Sequence, residues 1–366
     1  MSRYFLFGTP RWNALLAEVA GRPVACAPAR LEGWSIERAA KGDWPVLVPG
    51  GACDGLLTEP LDAEAKARLD WYETAFDYAP EAVRVGDHAA LVYRTDDAGA
   101  GAPWDLEGWI GAHGERTRLA AAEVMRARGR ESQASLARRR PMIHARADGI
   151  LRTRAARRPD TVGQRFDMAA VEIQQVSHPH DGFTGVEDWR IDHPRFDGSR
   201  SGPLERSVAT TTGAATVLPY DPARDRVLLV EQVRLGPMAN GDTQPWLLEP
   251  VAGMIDAGEG PETCALRELE EEAGLRAAPD ALHFVARYYP SPGVLAQLIH
   301  SYVVTCDLPD AAAGTGGLDV EGEDLALHLV ALDDLLAMIP STEAANAPLV
   351  VSAQWLALNR ARLQAG

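Results

Sequence analysis

The sequence predicts an α+β protein with two folded domains joined by a basic helical connector. Three observations lead to this expectation. The chain has 366 residues, which is long for one domain and ordinary for two. Its first hundred residues contain short apolar runs punctuated by glycine and proline. An arginine-rich segment follows, and apolar runs then return. We therefore divide the chain into residues 1–103, 104–160 and 161–366.

The N-terminal domain is expected to be rich in strands. Apolar runs predict four short strands, at residues 4–7, 34–36, 45–49 and 55–58. Gly50 and Gly51 are expected to end the third strand. Helices are predicted at residues 13–19 and 63–72, and a hairpin around Gly86 and Asp87. These elements together suggest a small barrel-like domain with one or two helices.

The connector, residues 104–160, has a helical and basic character. Its alanine-rich stretch favours helix, and Leu136, Ile143 and Ile150 recur at regular spacing. We expect one or two long helices, broken near Pro141. The arginines at 138–140 and 157–158 suggest either a phosphate- or nucleic-acid-binding patch or a solvated segment that packs against acidic domains. The lack of interleaved aromatic residues favours the second interpretation.

The composition limits which binding partners and which cellular compartment we expect. A net charge of −16 argues against non-specific binding to nucleic acid or anionic membranes. No stretch approaches the ~20 apolar residues of a membrane helix, and the N-terminal apolar run is too short for a signal peptide. The 4 cysteines form no C-x-x-C pair, which is typical of a reducing compartment. We expect a cytoplasmic protein.

The strongest local signal lies in residues 253–275. Pro261 suits the first turn of a helix, and Glu262 complements the positive end of the helix dipole. Gly274 stands where a C-terminal glycine cap is expected. Leu266, Leu269 and Ala273 would form one apolar face. These positions predict a helix that begins at residue 261 and ends before Gly274.

Three carboxylates share another face of that helix. Glu268, Glu271 and Glu272 fall at i, i+3 and i+4, where like charges destabilise a helix. A cation among them would remove this penalty, and hard cations such as Mg²⁺ prefer oxygen ligands. Arg267 is placed to pair with Glu259 and fix the preceding loop. The alternative interpretation is a solvated acidic face.

The full pattern resembles the Nudix box at every fixed position. Gly253, Glu259 and the run Arg267-Glu268-x-x-Glu271-Glu272-x-Gly274 carry this resemblance. Residues 231–234, 246–253 and 291–293 make the chain similar to the ADP-ribose pyrophosphatase branch. The resemblance begins near Thr212. It implies an α/β/α sandwich, preceded by a strand region near residues 166–191 that builds a homodimer.

The resemblance also implies roles for individual residues. Glu268, Glu272 and the backbone carbonyl of Ala252 would bind Mg²⁺ or Mn²⁺, with Glu271 as a reserve ligand. Arg267 and Glu271 would support catalysis from within the box.

Other implied roles lie outside the box. On the loop at residues 310–324, Glu321 would take a proton from the attacking water, with Glu323 as the alternative. Arg234 and Glu231 are candidates for substrate binding, although Arg234 is equally explained by a surface ion pair.

The implied reaction is metal-dependent hydrolysis of a nucleoside diphosphate sugar. ADP-ribose would give AMP and ribose 5-phosphate. Gln297 stands where the family frequently has a glutamate. This departure keeps open a different nucleotide sugar, or a module that senses a nucleotide without cleaving it.

The N-terminal domain carries a second resemblance. The turn Phe7-Gly8-Thr9 and the stretch at residues 69–73 resemble the gamma-glutamylcyclotransferase-like, or AIG2-like, domain. This likeness implies that Gly8 and Thr9 bind substrate and that Glu73 is a general acid/base, so cyclotransferase activity is an alternative function. Phe7, Pro10 and Thr74 depart from that family's pattern. Fusions of this design also resemble proteins named for tellurium resistance, but no residue here explains metalloid chemistry.

Overall fold

The computed structural model describes residues 2–156, 161–163, 166–318 and 322–365. The chain forms two compact units, Met1–Ala155 and Ala156–Gly366. Arg157, Arg158 and Glu321, which the sequence singled out, lie outside the described residues. The first unit contains the strands β1 (Phe5–Leu6), β2 (Cys26–Ala39), β3 (Pro45–Thr58), β4 (Ala79–Val85), β5 (His88–Arg94) and β6 (Gly99–Pro103). Its α-helices are α1 (Asn13–Ala20), α2 (Ala63–Thr74), α3 (Leu106–Trp109), α4 (Glu115–Ala127) and α5 (Gln133–Ala155).

The strands β2 and β3 are longer than the sequence suggested. The expected strand end at Gly50 and Gly51 is wrong, because β3 continues through both glycines. Their φ angles are +116° and +70°, a region that glycine enters without a Cβ penalty. The two glycines lie opposite the single Gly33 of β2, where the register shifts. They therefore form a bulge inside one strand rather than a turn between two.

The first unit does not close into the expected barrel. Its main sheet is open, with the order β1-β3-β2-β6, and β4 and β5 form a separate hairpin. The hairpin turns after the Val85–His88 pair, as predicted. Between the hairpin and the sheet, the described residues form only an isolated bridge from Tyr4 to Leu91. One bridge cannot complete the continuous ladder of a barrel.

The helices after β6 contribute to the core of the first unit. Ala121, Val124, Leu136 and Ile143 are buried in the cluster that also contains Tyr4 from the sheet region. The expected helix break near Pro141 is wrong, since α5 runs through this residue. The chain instead turns between α4 and α5, where Gly129 has a φ of +77°. Tertiary packing here overrides the local cost of a proline inside a helix.

Several arginines of this helical region are held in buried ion pairs. Arg139 contacts Glu123 at 3.2 Å and Glu131 at 2.5 Å. Arg146 also pairs with Glu123, and both side chains are about nine-tenths buried. Arg140 donates to the carbonyl of Ala75 at 2.6 Å. These contacts give the arginines carboxylate or carbonyl partners inside the unit, because a buried charge is costly without a partner.

The second unit is a mixed α and β structure with two larger sheets. Its strands are β7 (Glu172–His180), β8 (Gly185–Asp192), β9 (Leu204–Thr210), β10 (Ala214–Asp221), β11 (Arg226–Val233), β12 (Trp246–Glu249), β13 (Val251–Met254), β14 (Leu282–Tyr288), β15 (Leu295–Ala296), β16 (Ile299–Thr305), β17 (Gly314–Gly316) and β18 (Leu325–Ala331). Its α-helices are α6 (Leu235–Ala239), α7 (Pro261–Ala273), α8 (Leu332–Ser341) and α9 (Ala347–Gln364).

The central sheet has helices on both faces. Its main order is β14-β16-β10-β11-β18-β17, with β13 added on β10 and β12 on β11. Successive side chains of a strand point to opposite faces of the sheet, so the buried strands contribute to two separate apolar clusters. Val217 packs in the cluster that contains Leu269 of α7, whereas Leu218 packs with Leu335 of α8 and Leu356 of α9. The sheet therefore supports α7 on one side and α8 and α9 on the other.

A smaller sheet precedes the central one in the sequence. β7, β8 and β9 pair in order, and the short β15 extends this sheet by pairing with β9. Among the residues that the structure describes, no helix is long and apolar enough to cross a membrane.

Candidate active site

The helix α7 confirms the boundaries predicted from its caps. It begins at Pro261, ends at Ala273 and is followed by Gly274 with a φ of +64°. Leu269 is fully buried, and Leu266 and Ala273 pack at the margin of the same core. One helix face is therefore fixed against the sheet, and this packing sets the direction of the neighbouring carboxylates.

Arg267 is the centre of the polar side of α7. Its Nε and Nη2 donate to the two carboxylate oxygens of Glu259, at 2.9 and 3.0 Å. Its Nη1 donates to Glu268 at 2.6 Å and to Glu271 at 2.7 Å. The predicted pairing of Arg267 with Glu259 is confirmed. The bond to Glu259 is the first cause that raises the pKa of Arg267 above its ordinary value.

Glu272 occupies the most buried position of the cluster. Its side chain accepts a hydrogen bond from the backbone N–H of Ala252 at 3.2 Å, and the residue is 2% exposed. Burial raises the pKa of Glu272 to about 8, and the nearby negative charges of Glu268 and Glu323 add to this effect. The hydrogen bond from Ala252 and the positive charge of Arg234 act in the opposite direction but do not outweigh burial.

The strand β13 and α7 touch without space for a side chain between them. A Cβ on Gly253 would lie 1.8 Å from Oε1 of Glu268, so a larger residue at this position would displace the Glu268 carboxylate. Glu268 is therefore pressed against the backbone that follows Ala252. Carboxylates and backbone oxygens are the ligands that hard divalent cations prefer, so the residues at this junction fit such an ion.

The acidic residues are not already gathered around one point. Among the described residues, no group of three His, Cys, Asp or Glu side chains is arranged to hold a metal. Arg267 engages Glu268 and Glu271, while Glu272 bonds to Ala252. Glu268 and Glu272, with the backbone of β13, would have to turn from these partners to hold a cation.

The loop after β17 is attached to the end of α7. The N–H of Gly317 donates to the carbonyl of Glu272 at 3.2 Å. The carboxylate of Glu323 accepts from the N–H of Leu318 at 3.2 Å. These bonds, and the influence of Glu323 on the pKa of Glu272, place Glu323 near the end of α7. Glu321 itself lies outside the described residues.

Arg234 and Glu231 have protein partners near the site. Arg234 donates to the buried carboxylate of Glu249 through Nε at 2.9 Å and Nη2 at 2.5 Å. Glu249 also accepts from Asn346 at 2.9 Å. Glu231 contacts the ring of His328 at 2.8 Å. The sequence offered no role for Glu249, because its partners come from distant parts of the chain.

The residues predicted in the N-terminal domain line one cavity of about 720 Å³ in the first unit. Gly8 and Thr9 line it from the short helical turn that follows β1, and Glu73 lines it from the last turn of α2. His144 of α5 and Arg116 of α4 also line this cavity. The sequence analysis missed these two residues, because nothing local in the helices indicates which face meets α2.

Glu73 is enclosed by the first unit. The residue is 8% exposed, and burial raises the pKa of its carboxyl group to about 8. The carboxyl group is therefore largely protonated at neutral pH. As a general acid/base, Glu73 stays a prediction.

We expect the substitution Glu73→Gln to change how the stability of the protein depends on pH. An unfolded chain releases the Glu73 proton near its ordinary pKa of 4.5, whereas the folded chain retains it up to about 8. Between these values the free energy of unfolding of the wild type should fall by about 1.4 kcal/mol per pH unit from this group alone. The variant lacks this loss, so its stability relative to the wild type should rise with pH.

Urea unfolding of both proteins at pH 4, 6 and 8 measures the difference. Glu272 contributes equally to both proteins, so the comparison isolates Glu73. Parallel stability curves over this range would show that the buried carboxyl group does not retain its proton.

Comparison with known proteins gives two family matches. The model of the NUDIX domain matches residues 210–352. The model described as gamma-glutamyl cyclotransferase, AIG2-like, matches residues 4–109. The second match ends before α4 and α5, which nevertheless line the cavity of the first unit.

Curated relatives cover the second unit. An ADP-ribose pyrophosphatase of Haemophilus influenzae is 36% identical over 203 residues, which are 55% of this chain and 92% of the relative. An ADP-ribose pyrophosphatase of Escherichia coli K12 is 35% identical over 209 residues, 57% of this chain and 97% of the relative. A GDP-mannose pyrophosphatase of Citrobacter koseri is 31% identical over 152 residues, 42% of this chain and 77% of the relative.

The NUDIX model spans the residues that contain Arg267, the clustered carboxylates and the strand β13. The chain therefore belongs to the Nudix family, and its second unit is a Nudix hydrolase.

Proposed function

We propose that the second unit hydrolyses the diphosphate of ADP-ribose to AMP and ribose 5-phosphate. The observation that carries the proposal is the joined set of Arg267, Glu268 and Glu272 against β13. The relatives that align over nearly their whole length are named ADP-ribose pyrophosphatases, which supports the choice of substrate.

The residues of this cluster have distinct tasks in the proposed reaction. Arg267 holds Glu259, Glu268 and Glu271 in one arrangement and so keeps the loop and the helix together. Glu268 and Glu272, with the backbone carbonyl of Ala252, would hold Mg²⁺ or Mn²⁺, and Glu271 is the reserve ligand. A bound divalent cation supplies positive charge against the diphosphate and lowers the pKa of water. Arg234 and Glu231 are proposed to contact the substrate at the same end of the sheet.

Glu272→Gln should abolish most of the hydrolysis. The substitution removes the charge that would hold the cation while preserving the size of the side chain. Loss of a residue that only supports a metal ligand costs about 10–100-fold in activity. Because Glu272 is proposed to bind the metal itself, we expect kcat to fall by more than this. The assay measures AMP released from ADP-ribose at several Mg²⁺ concentrations, with GDP-mannose as the competing substrate.

Glu270→Gln provides the matched control. Glu270 lies on the same helix, is half-exposed and pairs only with Arg276 in the contacts described for it. This variant should keep the wild-type rate. Full metal-dependent activity in Glu272→Gln on both nucleotide sugars would refute the proposed site, and a preference for GDP-mannose would refute the proposed substrate.

Glu321 is the proposed general base, and Glu323 is proposed to position the loop. Glu323 already bonds to the N–H of Leu318 at 3.2 Å, and this contact supports the second role. A general base contributes about 10²–10⁴-fold to a rate. We therefore expect Glu321→Gln to lower kcat within that range.

Glu323→Gln should lower kcat less, because glutamine retains an oxygen that accepts the Leu318 hydrogen bond. The two variants are compared by their pH–rate profiles. Only Glu321→Gln should remove the acidic limb of the profile, and the reverse result would exchange the two roles.

We also propose that the protein is a homodimer through the second unit. Several large apolar side chains of its smaller sheet and flanking loops are exposed, among them Phe183 at 63%, Phe196 at 75% and Val294 at 59%. Burial of such side chains favours association. Light scattering should give twice the chain mass of 39.5 kDa, and Phe196→Glu should reduce the dimer fraction. A wild-type protein that is monomeric at micromolar concentration would contradict this proposal.

A further inference from the structure

The strand β17 lies directly against the backbone at the end of α7. A Cβ on Gly316 would lie 1.9 Å from the backbone carbonyl oxygen of Glu272 and 3.2 Å from Cδ1 of Leu327. Because carbon and oxygen atoms in such contacts stay about 3.3 Å or more apart, a side chain here would separate β17 from α7 by more than about 1 Å. The obstacle is backbone, whereas at Gly253 it is a carboxylate that can turn away.

The strand β17 is also held on its other side. It pairs with β18 through Gly316 opposite Leu325 and Gly314 opposite Leu327. Both leucines belong to the apolar core that contains Leu269 of α7. Moving β17 away from α7 would therefore disturb the pairing with β18 or the packing of a close-packed core.

A hydrogen bond crosses the contact between β17 and α7. The last carbonyl groups of an α-helix have no donor within the helix. In α7, the carbonyl of Glu270 accepts from the N–H of Gly274 at 3.0 Å, and the carbonyl of Glu272 accepts from the N–H of Gly317 at 3.2 Å. A donor from outside the helix thus binds the backbone of the residue whose carboxylate is proposed to hold the cation.

Gly317 also determines where Glu323 lies. Its φ is +92°, and a Cβ there would lie 2.8 Å from Cβ of Glu323 and 3.0 Å from Cγ of Leu325. The N–H of Leu318 donates to the Glu323 carboxylate at 3.2 Å, and the N–H of Glu323 donates to the carbonyl of Leu318 at 3.4 Å. One short segment therefore connects the backbone of Glu272 to Glu323.

We propose that Gly316 and Gly317 are positioning residues for the hydrolysis, because they hold Glu323 at a fixed place relative to Glu272. This inference rests on the proposed function of the second unit. Neither glycine has a side chain that could react, so each acts through the close contact that it permits. A misplacement of about 1 Å can cost about 10²-fold in rate. Loss of the contact should therefore lower kcat rather than weaken the binding of substrate or metal.

The first test measures hydrolysis of ADP-ribose by Gly316→Ala at several Mg²⁺ concentrations. We expect kcat to fall by about 10²-fold. The carboxylates of Glu268 and Glu272 are retained, so KM and the Mg²⁺ concentration that gives half the maximal rate should stay within about threefold. Thr315→Ala is the matched control, because Thr315 lies on the same strand with an exposed side chain. This control should keep the wild-type kcat.

A double-mutant cycle separates positioning from a general structural effect. It combines Gly316→Ala with Glu323→Ala, which removes the carboxylate that bonds to Leu318. If Gly316 acts through the placement of Glu323, the double variant loses less kcat than the product of the two single losses. Two independent effects would multiply.

Hydrogen exchange of the Gly317 amide reports the contact without any turnover. Relative to the intrinsic rates, this amide should exchange at least about tenfold faster in Gly316→Ala than in the wild type, because its bond to the Glu272 carbonyl is lost. Near-ultraviolet circular dichroism verifies that each variant is folded.

Gly317→Ala tests the inference if Gly316→Ala does not fold. Its Cβ would meet side-chain atoms of Glu323 and Leu325 rather than the backbone of α7. We expect this variant also to lower kcat while KM is retained. A folded Gly317→Ala with the wild-type kcat would contradict the positioning role.

The outcomes distinguish the positioning role from the proposed function. A wild type that hydrolyses neither ADP-ribose nor GDP-mannose would refute both together. With an active wild type, an undiminished kcat in folded Gly316→Ala would refute the positioning role alone. The same holds for losses that multiply in the double variant, and for an unchanged exchange rate of the Gly317 amide.

Discussion

The guanidinium group of Arg267 is the interaction on which the second unit's site depends. It bonds to Glu259 on the loop, to Glu268 and Glu271 on its own helix, and to the carbonyl of Met254 at 3.2 Å. Without this guanidinium group, the carboxylates of Glu259, Glu268 and Glu271 would repel one another. The planar fork of arginine satisfies several acceptors at once, and a lysine ammonium cannot reproduce that geometry. The loop before α7, the helix α7 and the strand β13 are therefore all bonded to the same guanidinium group.

Glu272 shows how the fold directs charge towards that junction. It projects from α7 to the backbone of β13 and is almost completely buried. Its raised pKa reflects a desolvated carboxyl group beside other acids. The apolar packing of Leu269 holds the helix in place against the sheet. Packing on one face thus holds Glu272 beside other acids, and either a proton or a bound cation relieves the charge that results.

The first unit handles buried polar groups differently. Its charged side chains are neutralised in pairs, such as Arg146 with Glu123. Its cavity is lined by aromatic rings, by the buried Glu73 and by charged side chains that include Arg116. The two units of one acidic chain therefore present chemically distinct sites. One gathers acidic side chains on a single helix, and the other combines aromatic side chains with charged ones.

The sequence by itself determined the elements and the local contacts of the Nudix site. Caps at Pro261 and Gly274 specify the helix, and the i,i+4 spacing of Arg267 and Glu271 suits the ion pair that the structure shows between them. The motif also indicated the more distant Glu259 pairing, because both residues belong to one short segment. These features depend on the spacing of residues within short segments, which the sequence shows directly.

Only the tertiary structure decided contacts between distant segments. The partners of Glu249, the approach of Gly253 to Glu268 and the assembly of Glu73 with His144 in one cavity each join residues with no shared local pattern. The same holds for α5, which continues through Pro141 because its buried side chains pack into the core. Local propensity is worth about 1–3 kcal/mol at such positions, and burial across a whole helix face outweighs it.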